Sequence, residues 1–271
     1  MANPISKTAY YTLGVRAWDA SRPKPVCGDT FAQHFMNEEA RAIWEKFKEY
    51  SRPNISNASR HAIIDNYLRD VLQSTPEATV VIVGAGFDTR AFRIKGGQWI
   101  EIDEPAIINY KESALPSAGA QNSLKRIAID FSRESIREKL RPFKTEKNVH
   151  VIIEGVLMYL DNKDRKDLML SLQDIFPHHT VYCDLMRKSF FDRYSGEVHE
   201  KIRSLGTTFT ELSEYPEGLL LDNGYKTLSS QSIPLYAAQY GGIDIPFFVV
   251  KYFLKTLRNG YQIWRFEYSR S

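Results

Sequence analysis

The run Thr79-Val80-Val81-Ile82-Val83 ends in Gly84-Ala85-Gly86, and a second apolar run, Trp99-Ile100-Glu101-Ile102, ends in Asp103, 17 residues beyond Gly86. No other feature of the chain constrains its fold as much. A strand that breaks into Gly-x-Gly lets the backbone pass close to a ligand, and an acid at the tip of the next strand can accept from ribose hydroxyls. Together they predict a doubly wound α/β sheet that holds an adenosine-containing ligand.

Two ligand classes suit such a turn. The dinucleotide pattern G-x-G-x-x-G wants a third small residue, for close helix packing beside a pyrophosphate. Here that position is Thr89, between Asp88 and Arg90. An acid just after the glycines would repel a pyrophosphate but suits a cationic ammonium and sulfonium. The residues favour S-adenosylmethionine, with a nicotinamide dinucleotide as the rival reading.

Composition adds bounds. The 271 residues are 43% hydrophobic and 25% charged, which suits one large α/β domain. The net charge of +3 comes without a long basic run. The densest cationic stretch, Arg133 to Lys147, is interleaved with Glu134, Glu138 and Glu146, so it reads as a solvated helix face and not a nucleic-acid surface. Cys27 and Cys183 form neither a disulfide framework nor a metal pair, and Cys183 reads as a small buried residue. Residues 1–11 lack the apolar core of a signal peptide, and no window reaches the roughly 18 apolar residues of a membrane span. The expectation is a cytoplasmic protein with no metal and no membrane or nucleic-acid partner.

Residues 1–76 read as a helical cap, with one helix over Phe31–Tyr50, a breaker at Arg52-Pro53-Asn54 and a second helix over Ser59–Gln73. From residue 77 the rhythm alternates. Strands are predicted at Val80–Val83, Trp99–Ile102, Lys125–Ile129, Val149–Ile153 and Thr180–Cys183, with helices at Pro105–Leu115, Arg133–Leu140 and Lys163–Ile175. Asp222-Asn223-Gly224 and Arg258-Asn259-Gly260 each read as a helix end with a left-handed glycine cap before a strand, at Tyr225–Ser230 and Gln262–Tyr268. A hairpin turn is the rival reading at Asn259-Gly260, where helix over Phe247–Leu257 is preferred. The predicted whole is a single α/β domain of the class I methyltransferase type. It has a Rossmann-like, seven-stranded, mostly parallel sheet and a substrate-cap insertion over about 186–240.

Two further acids end strands. Asp130, followed by Phe131, lies where an adenine amino group would sit, and Glu154 lies beside the cofactor's methionine half. Strands end at water, so any one acid can be accidental. Asp88, Asp103, Asp130 and Glu154 together are harder to dismiss.

The segments Gly84-Ala85-Gly86-Phe87-Asp88-Thr89-Arg90, Glu101-Ile102-Asp103-Glu104-Pro105 and Glu154-Gly155-Val156-Leu157-Met158-Tyr159-Leu160 resemble the leucine carboxyl methyltransferase family. That family includes phosphatase carboxy-terminal leucine methyltransferases and tetracenomycin-type polyketide O-methyltransferases. Asp29-Thr30-Phe31-Ala32 and Arg60 also fall where it has a D-P-x-A segment and a helix-borne arginine, although Thr30 replaces the usual proline. The resemblance covers about residues 7–191. It implies that Arg60, and less firmly Arg16, pair with the cofactor carboxylate. Gly84-Ala85-Gly86 would pass beneath the cofactor and Asp103 would hold the ribose hydroxyls. Asp130 and Phe131 would read the adenine, and Glu154 would hold the ammonium.

The function expected is S-adenosylmethionine-dependent O-methyl transfer to a carboxylate or hydroxyl of a small metabolite. A carboxylate needs no general base, whereas a phenol or alcohol would benefit from one. Tyr159, Asp184, Arg187 and Tyr194 are the candidate acceptor-site residues, with Lys188 and His199 nearby. The bland alternatives are a core role for Tyr159, a surface place for His199, and a solvated loop for His178-His179. A protein carboxy-terminal carboxylate is the nearest alternative acceptor. A nicotinamide-dependent oxidoreductase and a non-catalytic cofactor-binding module are more remote readings.

Overall fold

The computed structural model describes residues 4–240 and 242–270, with side chains from residue 7 onward. Three helices precede the sheet: α1 (Pro4–Ala20), α2 (Glu38–Glu45) and α3 (Ser51–Ser74). The single helix predicted over Phe31–Tyr50 is corrected. A 3-10 turn over Thr30–Phe35 stops at Asn37, whose side chain accepts from the Ala40 amide and starts α2 afresh. The predicted breaker at Arg52-Pro53-Asn54 instead lies within the first turn of α3, where proline's missing N–H costs nothing.

Strand and helix then alternate as β1 (Thr79–Val83), α4 (Arg90–Arg93), β2 (Gln98–Asp103), α5 (Pro105–Ala114), β3 (Ser123–Ala128), α6 (Ile136–Leu140), β4 (Val149–Ile153), α7 (Asn162–Ile175) and β5 (His178–Met186). Short helices α8 (Lys188–Tyr194), α9 (Gly196–Arg203) and α10 (Gly218–Asp222) lead to β6 (Lys226–Ser232). The chain ends through α11 (Ile233–Gln239), α12 (Phe247–Tyr252), α13 (Lys255–Gly260) and β7 (Tyr261–Ser269). The strand order is β3-β2-β1-β4-β5-β7-β6, parallel except that β7 runs antiparallel to both neighbours. This is the predicted seven-stranded sheet. Its central strands are buried on both faces, which is why β1 reads as an apolar run from Val80 to Val83 and β4 as one broken only by His150.

Asn259-Gly260 ends a helix, as preferred over a hairpin. Only Gly224 takes the left-handed cap conformation, at φ +84°. Gly260 answers to crowding instead: a Cβ there would lie 2.4 Å from Cβ of Phe190. The two histidines read as solvated or surface residues are corrected too. His179 lies within β5, between the Phe176 carbonyl at 2.6 Å and the Tyr225 hydroxyl at 2.9 Å. His199 is buried against the rings of Phe191 and Phe209. Cys183 is buried, as expected.

The helical cap is bolted to the sheet by charge. Asp65 on α3 accepts from Arg90 Nε at 2.6 Å and from Arg93 Nη1 at 2.7 Å. Arg93 Nη2 lies 2.8 Å from His61 Nε2, and its Nε donates to Thr89 Oγ1. Thr89 in turn donates to Asp29 at 2.6 Å. Arg90 is fully buried and also reaches Asp88 and Glu154. Position 89, where a dinucleotide turn wants a small residue, is therefore a fastening between the glycine turn and the amino-terminal segment.

Removing one member of a buried ion cluster strands the others. Arg90→Met should lower unfolding stability by about 3–5 kcal/mol in urea titration; a loss within error would mean that the cluster holds nothing together. Acid should weaken the fold before the carboxylates titrate. Burial lowers His150 and His179 from an ordinary value of 6.5 to about 4. The unfolded chain therefore takes up these protons first, and stability present above pH 6.5 is lost as pH falls toward 4, by about 3 kcal/mol per ring. A urea midpoint that stays constant from pH 7 to 4.5 would contradict this.

Candidate active site

β1, β2 and β4 end side by side, and the turns beyond them line a cavity of about 1250 Å³. Gly84 (φ +65°) and Gly86 (φ +48°) carry β1 into its turn. A Cβ on Gly84 would meet Val156 Cγ2 at 2.5 Å, so the two loops touch with no room for a side chain. The Gly86 amide donates to Asp103 Oδ2 at 2.5 Å, and the Glu104 amide donates to Oδ1 at 2.6 Å. Two backbone donors thus aim the carboxylate, and each oxygen keeps acceptor capacity. Burial raises the Asp103 pKa, with these donors working against it.

Glu154 follows β4 and lines the cavity. Its Oε1 accepts from Arg60 Nε at 3.1 Å, and its Oε2 accepts from Arg90 Nη2 at 2.7 Å. Burial would raise its pKa, but Arg90, His61 and Arg60 outweigh that and hold the carboxyl well below the usual range. Gly155 (φ +68°) lets the Arg60 guanidinium lie against the chain, 3.0 Å from where a Cβ would be. Arg60 Nη1 also donates to Asp184 Oδ2 at 3.1 Å and to the Tyr261 hydroxyl at 3.0 Å. Arg16 lines the cavity as well, with Nη2 donating to the Phe87 carbonyl at 2.9 Å.

Other expected residues sit differently. Asp88 lines the cavity, but both its oxygens are engaged by Arg90, through the backbone amide at 2.7 Å and the guanidinium at 2.5 Å. Its charge is therefore matched within the protein. Asp130 closes a turn by accepting from the Ser132 amide and hydroxyl and is not on the cavity wall, while Phe131 is. Asp184 is buried off the wall and accepts from the Gly155 amide, Arg60 and the Tyr261 hydroxyl. Arg187 also lies off the wall, tied to Glu217 at 2.7 Å and to the Glu214 carbonyl. Tyr159 and Tyr194 are on it. Tyr159 stands edge-on to Phe209 at 5.3 Å, and Tyr194 packs on Phe190 at 5.3 Å. Burial pushes the Tyr159 phenol up to about 12.

Sequence reasoning missed His61, Asp65, Arg93 and Tyr261. The first three left a signal, because His61 and Asp65 share a face of α3 four residues apart while Arg90 and Arg93 share one turn of α4. Tyr261 left none. His61, Asp88 and Glu154 come close enough to gather a cation, but Arg90 already touches all three, so the protein supplies that positive charge itself.

The family model for leucine carboxyl methyltransferase matches residues 9–173. The chain is 26% identical over 196 residues to a protein of Mycolicibacterium paratuberculosis provisionally named an S-adenosyl-L-methionine-dependent methyltransferase, a match covering 64% of each chain. It thus spans just under two-thirds of that relative's length. It is 24% identical over 210 residues to the tetracenomycin polyketide synthesis O-methyltransferase TcmP of Streptomyces glaucescens, covering 76% of this chain and 74% of that one. The fold resembles magnesium protoporphyrin IX methyltransferase from Synechocystis, solved with S-adenosylhomocysteine bound, at a TM-score of 0.52 and 14% identity over 89% of this chain and 99% of that one. The chain belongs to the leucine carboxyl methyltransferase family.

Proposed function

We propose that the chain is an S-adenosylmethionine-dependent O-methyltransferase acting on a carboxylate or hydroxyl of a small molecule. One observation carries the reading: a single cavity joins a polar floor, formed by Gly84, Gly86, Asp103, Glu154 and Arg60, to an aromatic half containing Tyr159, Phe190, Tyr194 and Phe209. At about 1250 Å³ it exceeds the roughly 300–1,000 Å³ of an ordinary ligand pocket, leaving room for cofactor and acceptor together.

The floor suits the cofactor. The turn at Gly84 and Gly86 offers a side-chain-free backbone, Asp103 offers aimed acceptors for hydroxyls, and Glu154 offers a permanent anion for an ammonium. Arg60 and Arg16 offer cations for a carboxylate. When bound, S-adenosylmethionine supplies an electrophilic methyl on a sulfonium. The remaining work is alignment of the acceptor oxygen by the aromatic half. Tyr159 keeps its proton at neutral pH, so it acts as a donor that orients an acceptor oxygen and not as a base. Asp184 serves as a positioning residue, holding Arg60 through a direct bond and through Tyr261. The helices and loops of about 186–240 form the substrate wall.

Calorimetric titration with S-adenosylhomocysteine should give micromolar binding and NADH none; the reverse would return the dinucleotide reading. Asp103→Ala should weaken that binding by roughly one to two orders of magnitude, because charge-assisted hydrogen bonds are lost. Unchanged affinity would remove Asp103 from the site. Tyr261→Phe should raise the cofactor KM by roughly fivefold, with kcat changed less, as one hydrogen bond to the positioned Arg60 is lost. Equal effects on both constants would place Tyr261 against the acceptor. Labelled methyl transfer across a panel of carboxylic, phenolic and peptide-carboxylate acceptors tests the acceptor class. Transfer only to a free peptide carboxylate would overturn the small-molecule reading.

A further inference from the structure

The segment beyond α11 leaves an unusual number of rings in water. Phe247 is 37% exposed, Phe248 58%, Tyr252 68% and Phe253 74%, on α12 and the residue after it. Large side chains of this kind scattered singly need no explanation, but a contiguous group does. Lys251 lies among them, with Nζ 5.7 Å from the Phe247 ring and 5.2 Å from the Tyr252 ring. Lys255 and Arg258 follow on α13, and the sequence has no acid between Asp244 and Glu267. Ile243 and Ile245, just before α12, and Leu257 on α13 line the cavity. An aromatic, cationic face therefore adjoins a wall of the proposed active site.

We propose that this face docks on an anionic lipid surface. Rings that are apolar in body and cations that remain hydrated are what a headgroup boundary accommodates, and negative lipid supplies the missing counter-charge. A second copy of the chain fits less well. A two-fold interface would set Lys251, Lys255 and Arg258 against their own equivalents, with Asp244 the single acid of residues 242–260 to meet three cations. Among the described residues no helix is long and apolar enough to cross a membrane, so the contact is superficial.

The test is co-sedimentation of the full chain with two vesicle preparations, one of phosphatidylcholine alone and one of equal parts phosphatidylcholine and phosphatidylserine. It needs no methyl acceptor, so it stands or falls apart from the proposed reaction. Binding should be about tenfold stronger to the anionic vesicles and should fall in high salt, as juxtamembrane cations dictate. Lys251→Glu with Lys255→Glu should abolish the difference, and Phe248→Ser with Phe253→Ser should weaken binding at least severalfold. All four side chains are exposed, so thermal unfolding should be unchanged, and that measurement separates lost docking from lost folding. Equal sedimentation with both vesicle types would overturn the proposal. So would dimerisation that rises with concentration in light scattering and disappears in the phenylalanine variant, since that would make a second copy the occupant.

Discussion

A single guanidinium, that of Arg90, is the point on which the rest of this molecule depends. It is fully buried one turn beyond the glycine loop and meets carboxylates from three separate parts of the chain: Asp65 on α3, Asp88 in the loop and Glu154 after β4. Packed apolar residues can hold such elements together as strongly as ions do. What ions add is direction. Each carboxylate has one arrangement that satisfies it, so the helical cap, the loop and the end of β4 are set in register with one another. Glu154 inherits its ionisation from the same source, and a chemically competent floor is a by-product of how the cap is fastened.

Much of the fold was legible because its signals are local. The central strands announce themselves as largely apolar runs, and their parallel direction follows from alternation with helices. The places of Asp103 and Glu154 on the cavity wall were also legible, since the tip of a parallel strand is where a cleft opens in such sheets. The same reasoning placed Asp130 and Asp184 in that site, where they are off the cavity wall, and gave Asp88, which is on it, a charge that Arg90 already matches; there it reached its limit. Position along a strand tells how far a carboxylate lies from the sheet, not which donor captures it. Arg90 captures Asp88, Ser132 captures Asp130, and Arg60 with Tyr261 captures Asp184. Arg90 and Ser132 lie only two residues from the acids they capture, so their claim rests on local side-chain geometry, whereas Arg60 and Tyr261 are distant from Asp184 and only the assembled chain brings them near. His179 illustrates the same limit: two adjacent histidines look solvated until an antiparallel partner strand covers them.

The aromatic half of the cavity is the least regular part of the molecule and was the least readable. It is built from short helices whose packing rests on individual close contacts. Gly260 sits under Phe190, joining the start of β7 to the wall that carries Tyr194. A change of shape on that wall must therefore be accommodated by the antiparallel strand. Arg187, which looks on sequence like an anion-binding residue, is instead the clasp that holds residues 214–217 beside that wall.

Arg60 and Glu154 already face one another across the floor of the cavity. A ligand that brings both a cation and an anion can replace this pair by exchange, leaving every buried charge with a partner. A ligand that brings only one of the two opens the contact without replacing it, and each residue falls back on the partners it keeps, Asp184 and Tyr261 for Arg60 and Arg90 for Glu154. In the proposed binding mode the internal ion pair therefore sets a graded preference for ligand charge: a deaminated or decarboxylated analogue would lose one contact of the pair without leaving a buried charge alone.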